Sequence, residues 1–400
     1  MSWPVAYLGE VGSLQAGYGF PNKYQGKKAG DYPFAKVGDI SAVARAGQKY
    51  IGSAGNYIDK EELNQIRGKP LPVGSIVFAK IGEAIRQNFR AVTTTEMIVD
   101  NNSMGLVPRE SIVDTDYLYH FMCRLDLYAY TGATTVPALR KSTLEAIEIP
   151  LPPLSEQKRI AAILDKADAI RRKRHQAIEL ADQFLRSVFL NLFGDPVTNP
   201  KGWHSKPFGE LVRDAKIGLV RSASEFGESF EYPYVRMDAI TSRGGFLREL
   251  VQSTSATAAE VSEYSLRNGD FLFNTRNSKE LVGKCTVFNS DERDVLFNNN
   301  IMRVRFVDGV SPHFVSYFLN SKGGQRELDK LKSGTTSVFA VYAKDLNRLP
   351  IPLPNSNVQQ QFEAMVRHVD GQIAKAFCSA ARNAGDLADA LSKRAFAGEL

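Results

Sequence analysis

The chain repeats itself at a spacing of about 200 residues, and a repeat of that length constrains a fold more than any local signal. "WPVAYLGEV" at Trp3 returns as "WHSKPFGEL" at Trp203, and the chain has only 2 tryptophans. "YPFAKVGDI" at Tyr32 returns as "YPYVRMDAI" at Tyr232. "GSIVFAK" at Gly74 pairs with "GDFLFNT" at Gly269, and "DNNSMGLV" at Asp100 with "FNNNIMRV" at Phe297. "TGATTVPAL" at Thr131 pairs with "SGTTSVFAV" at Ser333, and the proline strap "IPLPPLSEQKRI" at Ile149 with "IPLPNSNVQQQF" at Ile351. All occur in one order, with offsets that drift as insertions in surface loops would make them. The chain is therefore a tandem duplication, and whatever fold one copy adopts the other must share.

Each copy has two parts. The first ~150 residues mix short β-like runs with helical ones, without the regular alternation of a doubly wound sheet, which reads as α+β. "SIVFAKI" and "DFLFNT" read as strands between glycines. "DTDYLYHFMCRLDLYAY" and "VSPHFVSYFLNSKGGQRELDKL" read as helices with acidic or proline starts. The second part is a long helix behind each strap. The prolines cannot lie inside it, and Ser155 is the expected N-cap. Apolar residues recur at Ile160, Ile163, Ala167, Ile170, Ala177, Ala181, Leu185, Val188 and Leu192, and Gly194 and Pro196 supply stop signals. The second copy has Phe362, Val366, Val369, Ile373, Phe377, Ala380, Ala384, Leu387 and Leu391. Steps of three and four, broken in the first copy by one gap of seven that Arg174 fills, read as a coiled-coil seam, the alternative being a long amphipathic helix packed on its own domain. A helix of ~38 residues is ~57 Å long and outruns a globule roughly 30–40 Å across, so much of it needs a partner outside its own domain. The other copy is the natural one, and a two-fold relation makes the pair antiparallel. The expected architecture is two globular α/β domains in tandem, separated by two long helices packed as an antiparallel coiled coil with pseudo-two-fold symmetry. The expected boundaries are a first domain over 1–153, a helix over 154–194, a linker and second domain over 195–354, and a helix over 355–400.

The composition bounds the function. Apolar residues make up 43 % and charged residues 24 %, ordinary for a globular protein. No apolar run approaches the ~18 residues of a membrane span, and the start lacks the pattern of a signal peptide. Cys123, Cys285 and Cys378 suit neither a disulfide framework nor a zinc site, so a reducing, cytoplasmic setting is expected. The net charge is +6, which permits an acidic partner without demanding one. His120, His175, His204, His313 and His368 are scattered away from metal spacing, and no phosphate-binding loop is present. "GYG" at Gly17 lacks the strand–loop–helix frame of a cofactor loop and reads as a turn. "NPKG" at Asn199 lacks the second proline and aromatic of an amino-methylating motif. The chain reads as a binding module rather than a catalyst.

Residue types that suit nucleic acid occupy matching places in the two copies. Arg and Lys suit guanine or phosphate, and Asn and Gln suit adenine. The first copy has Lys80, Arg86, Asn88 and Arg90 with Gln87 in "KIGEAIRQNFR". The second has Arg276, Asn277, Lys279 and Lys284 in "RNSKELVGK". Upstream, Lys36 and Arg45 are matched by Arg236 and Arg243. The bland alternative for each is a solvated surface charge. The run "RRKRH" at Arg171 lies mid-helix, where it is either a solvated face or a contact to phosphates.

The duplicated layout, the strap with Glu156 and Gln157, and the linker "FGDPVTNPKGW" resemble the specificity subunit of type I restriction–modification enzymes over the whole chain. The second strap departs by having Val358 where the first has Glu156, although Gln359 matches Gln157. The resemblance implies a non-catalytic subunit whose two target recognition domains each read half of a bipartite double-stranded DNA sequence. It implies that the paired helices set the gap, with Ile160, Ile163, Ile170, Leu185, Phe362, Val366, Val369 and Ile373 facing the spacer or partner subunits. It implies two modification subunits that methylate adenine at N6 and two restriction subunits that translocate and cleave. S-adenosylmethionine, ATP and Mg would then be bound by those partners, with no cofactor and no metal in this chain. A coiled-coil scaffold that joins proteins without reading DNA is the alternative, and a fused enzyme with an unrecognised motif is another.

Overall fold

The computed structural model describes residues 3–132, 135–195, 197–227, 229–334, 337–378 and 384–399, and no side chains over 374–390. Pro196, Ala133, Thr134, Thr335 and Thr336 lie outside the described residues, as do Ala380 and the side chains of Phe377, Cys378, Ala384 and Leu387. The chain forms two compact units, residues 1–176 with 378–400, and residues 177–377. The division falls within the helix Leu154–Phe193.

Six of the helices position the functional residues: α1 (Val37–Arg45), α2 (Thr115–Arg124), α3 (Leu154–Phe193), α4 (Pro312–Asn320), α5 (Ser356–Cys378) and α6 (Ala384–Ala397). The structure is α+β. The main sheet of unit 1 runs Gly12–Ala16, Ser103–Pro108, Ile76–Ala79, Arg90–Thr93, Tyr50–Ile51. The main sheet of unit 2 runs Val212–Ile217, Ile301–Phe306, Phe271–Asn274, Cys285–Val287, the same order without the fifth strand. Ile76 faces Leu106 in one, and Phe271 faces Val304 in the other. A smaller sheet pairs Phe34 with Ile98 in parallel, and its counterpart pairs Tyr234 with Leu296. That ladder sets Asp100 against Asn298, one residue away from the match of Asp100 with Phe297 made on sequence. Asn298, Asn299 and Asn300 make the two alignments hard to tell apart by letters alone, whereas strand pairing distinguishes them.

Gly17 has a role other than a turn. Its amide donates to the Ser103 carbonyl at 3.1 Å and that of Tyr18 to the Val99 carbonyl at 2.9 Å. A Cβ on Gly17 would lie 1.9 Å from the Asp100 oxygen, and one on Gly218 would lie 2.2 Å from that of Phe297. Both copies need a residue without a side chain where two backbones cross closely.

The strap is an edge strand that runs straight into a helix. Ala6 faces Ile149 in unit 1, and Lys206 faces Ile351 in unit 2. Proline is tolerated there because the outer edge needs no donor. The Pro153 carbonyl accepts from the Glu156 and Gln157 amides at 2.8 and 3.0 Å, so helical bonding starts at Pro153 and the expected Ser155 cap is wrong by two residues. At the second junction the Asn355 carbonyl accepts from the Gln359 amide at 3.3 Å and its side chain from the Val358 amide at 3.1 Å. Asn355, which matches Pro153 by register, thus caps the second helix, whereas the Glu156 side chain of the first copy is bonded to Arg159 at 3.0 Å.

The retained glutamine is the joint itself. Gln157 is buried; its Oε1 accepts from the Asp114 amide at 2.8 Å, and its Nε2 donates to the Pro152 and Ile112 carbonyls at 2.8 and 3.1 Å. Gln359 is equally buried and repeats the clamp, accepting from the Ser311 amide at 2.9 Å and donating to the Pro354 carbonyl at 2.7 Å. Asp114 and Ser311 cap α2 and α4. One amide side chain therefore ties the strap, the long helix and the neighbouring helix together in each unit.

The long helix is anchored at its two ends. Ile160, Ala161 and Leu164 enter the core of unit 1 with Phe396, while Leu185, Phe189 and Phe193 enter that of unit 2 with Phe314 and Phe362. The Phe189 ring lies 5.5 Å from that of Phe362, so the last turns of α3 pack against the first turns of α5. Ile170 and Ala177, placed in the seam, are exposed, because burial comes from the globular parts that the helix ends reach. Both tryptophans latch a helix end: Trp203 Nε1 donates to the Phe193 carbonyl at 3.1 Å, and Trp3 Nε1 to that of Ala395 at 3.2 Å. Each globular part is thus completed by the end of the helix that follows the other copy.

Candidate nucleic-acid interface

In unit 1 three of the candidate residues converge on the loop that joins Ile76–Ala79 to Arg90–Thr93. Asn88 takes a left-handed conformation, φ 54°, which turns the chain sharply. Its side chain donates to the Leu125 carbonyl at 2.8 Å and accepts from the Leu127 amide at 3.2 Å, so it builds the loop. Arg90 is buried at 2 % exposure and hydrogen-bonds the Asn88 side chain and the carbonyls of Asn88 and Leu125. Arg90 is therefore withdrawn from the outer surface on which the sequence would place it, and burial lowers the pKa of its guanidinium.

Two exposed cations here, Arg86 of the loop and Arg45 at the end of α1, rest on aromatic rings. The Arg86 guanidinium lies 3.5 Å from the Tyr128 ring centroid and that of Arg45 5.6 Å from Phe89, with Arg45 also bonded to Gln87 at 2.6 Å. Such stacking fixes a long side chain at little entropic cost; Arg86 is also paired with Glu83 at 2.8 Å, on the exposed surface. Lys36 stands apart, over Phe20 at 5.4 Å and bonded to Gln25 at 3.0 Å. Lys80 is half-buried at the end of its strand.

Unit 2 uses different elements at the matching place. Arg276–Asn277 pairs with Phe339–Ala340 and is exposed at Arg276. Asn277 bonds the Asn274 side chain at 2.9 Å, which holds the turn. Lys279 lies 5.8 Å from the Phe339 ring. Lys284 is buried, donates to the Met237 carbonyl at 3.0 Å and has its pKa lowered by burial, so it too is withdrawn from solvent against expectation. Arg236 meets Gln252 at 3.1 Å and Asp238 at 3.4 Å. Arg243 is exposed, with Glu179 at 3.7 Å. The aromatic platforms Tyr128, Phe89 and Phe339 were missed on sequence. Phe89 stands between Asn88 and Arg90 and was legible there, whereas Tyr128 and Phe339 come from distant segments.

A family model described as the type I restriction modification DNA specificity domain matches residues 2–180 and again 200–375. The chain belongs to that family. The specificity subunit of the type I restriction enzyme EcoKI from Escherichia coli K12 is 22 % identical over 319 residues, 74 % of this chain and 68 % of that protein. The MjaIX specificity subunit of Methanocaldococcus jannaschii is 22 % identical over 303 residues, 70 % of this chain and 65 % of that protein. The crystal structure of a type I S subunit from M. genitalium matches with TM-score 0.57 at 14 % identity, covering 99 % of this chain and 96 % of that one, which shows a shared fold. As a member of the type I specificity family the chain is a DNA sequence-recognition protein with two tandem domains. Among the described residues no helix is long and apolar enough to cross a membrane, and no group of His, Cys, Asp and Glu could hold a metal ion.

Proposed function

We propose that each globular unit reads one half of a bipartite double-stranded DNA sequence and that the long helix sets the number of base pairs between the halves. The observation that carries this reading is the pair of glutamine clamps. A reader swivelling on its helix could not hold a fixed gap, and both junctions carry the same buried bonds. The exposed cations held on aromatic rings, Arg45, Arg86 and Lys279, with Lys36, Lys80, Arg236, Arg243 and Arg276, supply the contacts to bases and phosphates. The chain acts without chemistry of its own, inside a bacterial or archaeal cytoplasm. It directs two modification subunits that methylate adenine at N6 with S-adenosylmethionine, and two restriction subunits that use ATP and Mg to translocate and cleave.

The test is insertion of one heptad into the exposed middle of α3. Seven residues add about 10.5 Å of helix and nearly preserve its facing. Sites selected from a random duplex pool should keep both half-sequences and gain about 3 base pairs of gap, at about 3.4 Å per pair. New half-sequences with an unchanged gap would reject the reading.

A further inference from the structure

Unit 1 contains an open cleft of about 560 Å³ where the end of α1, the Gln87–Arg90 loop, α2 and α3 meet. Six cationic side chains line it: Lys49, Arg90, Arg124, Arg171, Arg172 and Lys393. Among the described residues Asp168 is the one carboxylate that lines it. Lys49 is neutralised by Asp116 at 2.7 Å and Asp165 at 2.8 Å, and Arg171 by Asp168 at 3.1 Å. Hydrogen bonds from His120 and Lys49 outweigh the burial of Asp165 and hold its pKa down at about 2, so its charge is committed to this task. Arg90, Arg124, Arg172 and Lys393 form no ion pair among the described residues.

Arg90 is the informative member. It is 2 % exposed, meets only carbonyl-type acceptors, and its Nε has no hydrogen-bond partner. Asp126 attracts this guanidinium only through space, burial outweighs that attraction, and an anion entering the cleft offsets the remaining cost. Guanidinium groups match the oxygens of phosphate in geometry as well as charge. Arg171 and Arg172 come from the "RRKRH" run. Gly47, at φ 67°, keeps that run close, since a Cβ there would lie 3.3 Å from Arg172 Cδ. The duplication did not create this feature. The unit 2 residues that correspond to Arg90, Arg124 and Lys393 by strand register, helix caps and the tryptophan latches are Cys285, Ser321 and Asn191, and none is cationic. The cleft also adjoins the loop in which Gln87 bonds Arg45.

We infer that this cleft binds a phosphate group, and that the backbone of the DNA read by unit 1 supplies it. The inference rests on the DNA reading proposed for the chain. Arg172 and Lys393 are exposed, so the double variant Arg172→Ala, Lys393→Ala leaves the fold intact. Full-length parent and variant are titrated with a selected duplex and a scrambled one across salt concentrations. For each phosphate no longer neutralised, the slope of log affinity against log salt should fall by about 0.9 and binding at 0.1 M salt should weaken about eightfold, equally on both duplexes. Calorimetric titration of the parent with inorganic phosphate and with AMP separates the other source. AMP binding that the variant loses, with duplex slopes unchanged, would assign the cleft to a free nucleotide and overturn the DNA source. Unchanged slopes without anion binding would overturn the site. A parent that binds no duplex even at about 50 mM salt would overturn the DNA reading itself, and with it this source of the phosphate.

Discussion

Replacing Gln157 by Leu tests the joint between reader and helix. The substitution conserves size and removes three hydrogen bonds, those with the Asp114 amide and the Pro152 and Ile112 carbonyls. Each such bond contributes about 1 kcal/mol net, and a buried group left unpaired costs about 1–3 kcal/mol. Ile112 is exposed and its carbonyl can turn to water, whereas Pro152 is buried. The expected loss is therefore about 3 kcal/mol for unit 1. Gln359 makes two such bonds, so Gln359→Leu should cost unit 2 about 2 kcal/mol. In a unit of about 200 residues these losses lower the midpoint by about 6–12 and 4–8 °C. Differential scanning calorimetry reads both, and site selection from a random duplex pool reads the functional side. A softened joint should broaden the range of accepted gaps while leaving each half-sequence unchanged, which general destabilisation would not do. A loss below about 1 kcal/mol for Gln157→Leu, or an unbroadened gap, would refute the clamp.

Gly17→Ala should cost unit 1 more than about 3 kcal/mol, because its Cβ would lie 1.9 Å from the Asp100 oxygen. Gly38→Ala, with nothing within 4 Å of its Cβ on α1, should instead stabilise by about 0.5–1 kcal/mol; urea unfolding checks both. His313 should make unit 2 acid-sensitive. Burial lowers its pKa to about 4, with Glu363 pulling it up and Arg367 pushing it down. The unfolded chain takes up that proton near pH 6.5, the folded one only near 4, so stability is full above 6.5 and falls with acid across that window. The loss is up to about 3 kcal/mol. His313→Phe should flatten the dependence between about pH 6.5 and 4 in denaturant melts; an unchanged slope would contradict it.

What the letters revealed and what they hid divide on physical lines. The repeat, the strands around Gly74 and Gly269, and the helices capped by Asp114 and Ser311 were legible because both copies obey the same local rules. Burial of charge was not legible. Arg90 and Lys284 look like any basic loop residue until the carbonyls of Leu125 and Met237 arrive from segments dozens of residues away. Gln157 and Gln359 were visible as an identity, but their partners at Asp114 and Ser311 lie 43 and 48 residues upstream. The seam was legible as a periodic stripe with one gap at Arg174, but apolar spacing does not say what covers it. Its ends are covered by globular cores, and Phe189 and Phe193 carry more of that packing than the Val188 and Leu192 chosen from periodicity. The cleft depends on Lys393 lining the same wall as Arg172, more than 200 residues away in sequence.

The most direct measurement of the central claim is selection of bound sites from a random duplex pool by the full chain in complex with its modification subunits, followed by exchange of residues 1–153 for another family member's first domain. The account predicts two short fixed blocks separated by a constant unread gap, with the exchange rewriting one block and leaving the other block and the gap unchanged. A single contiguous block, or an exchange that alters both blocks, would contradict it.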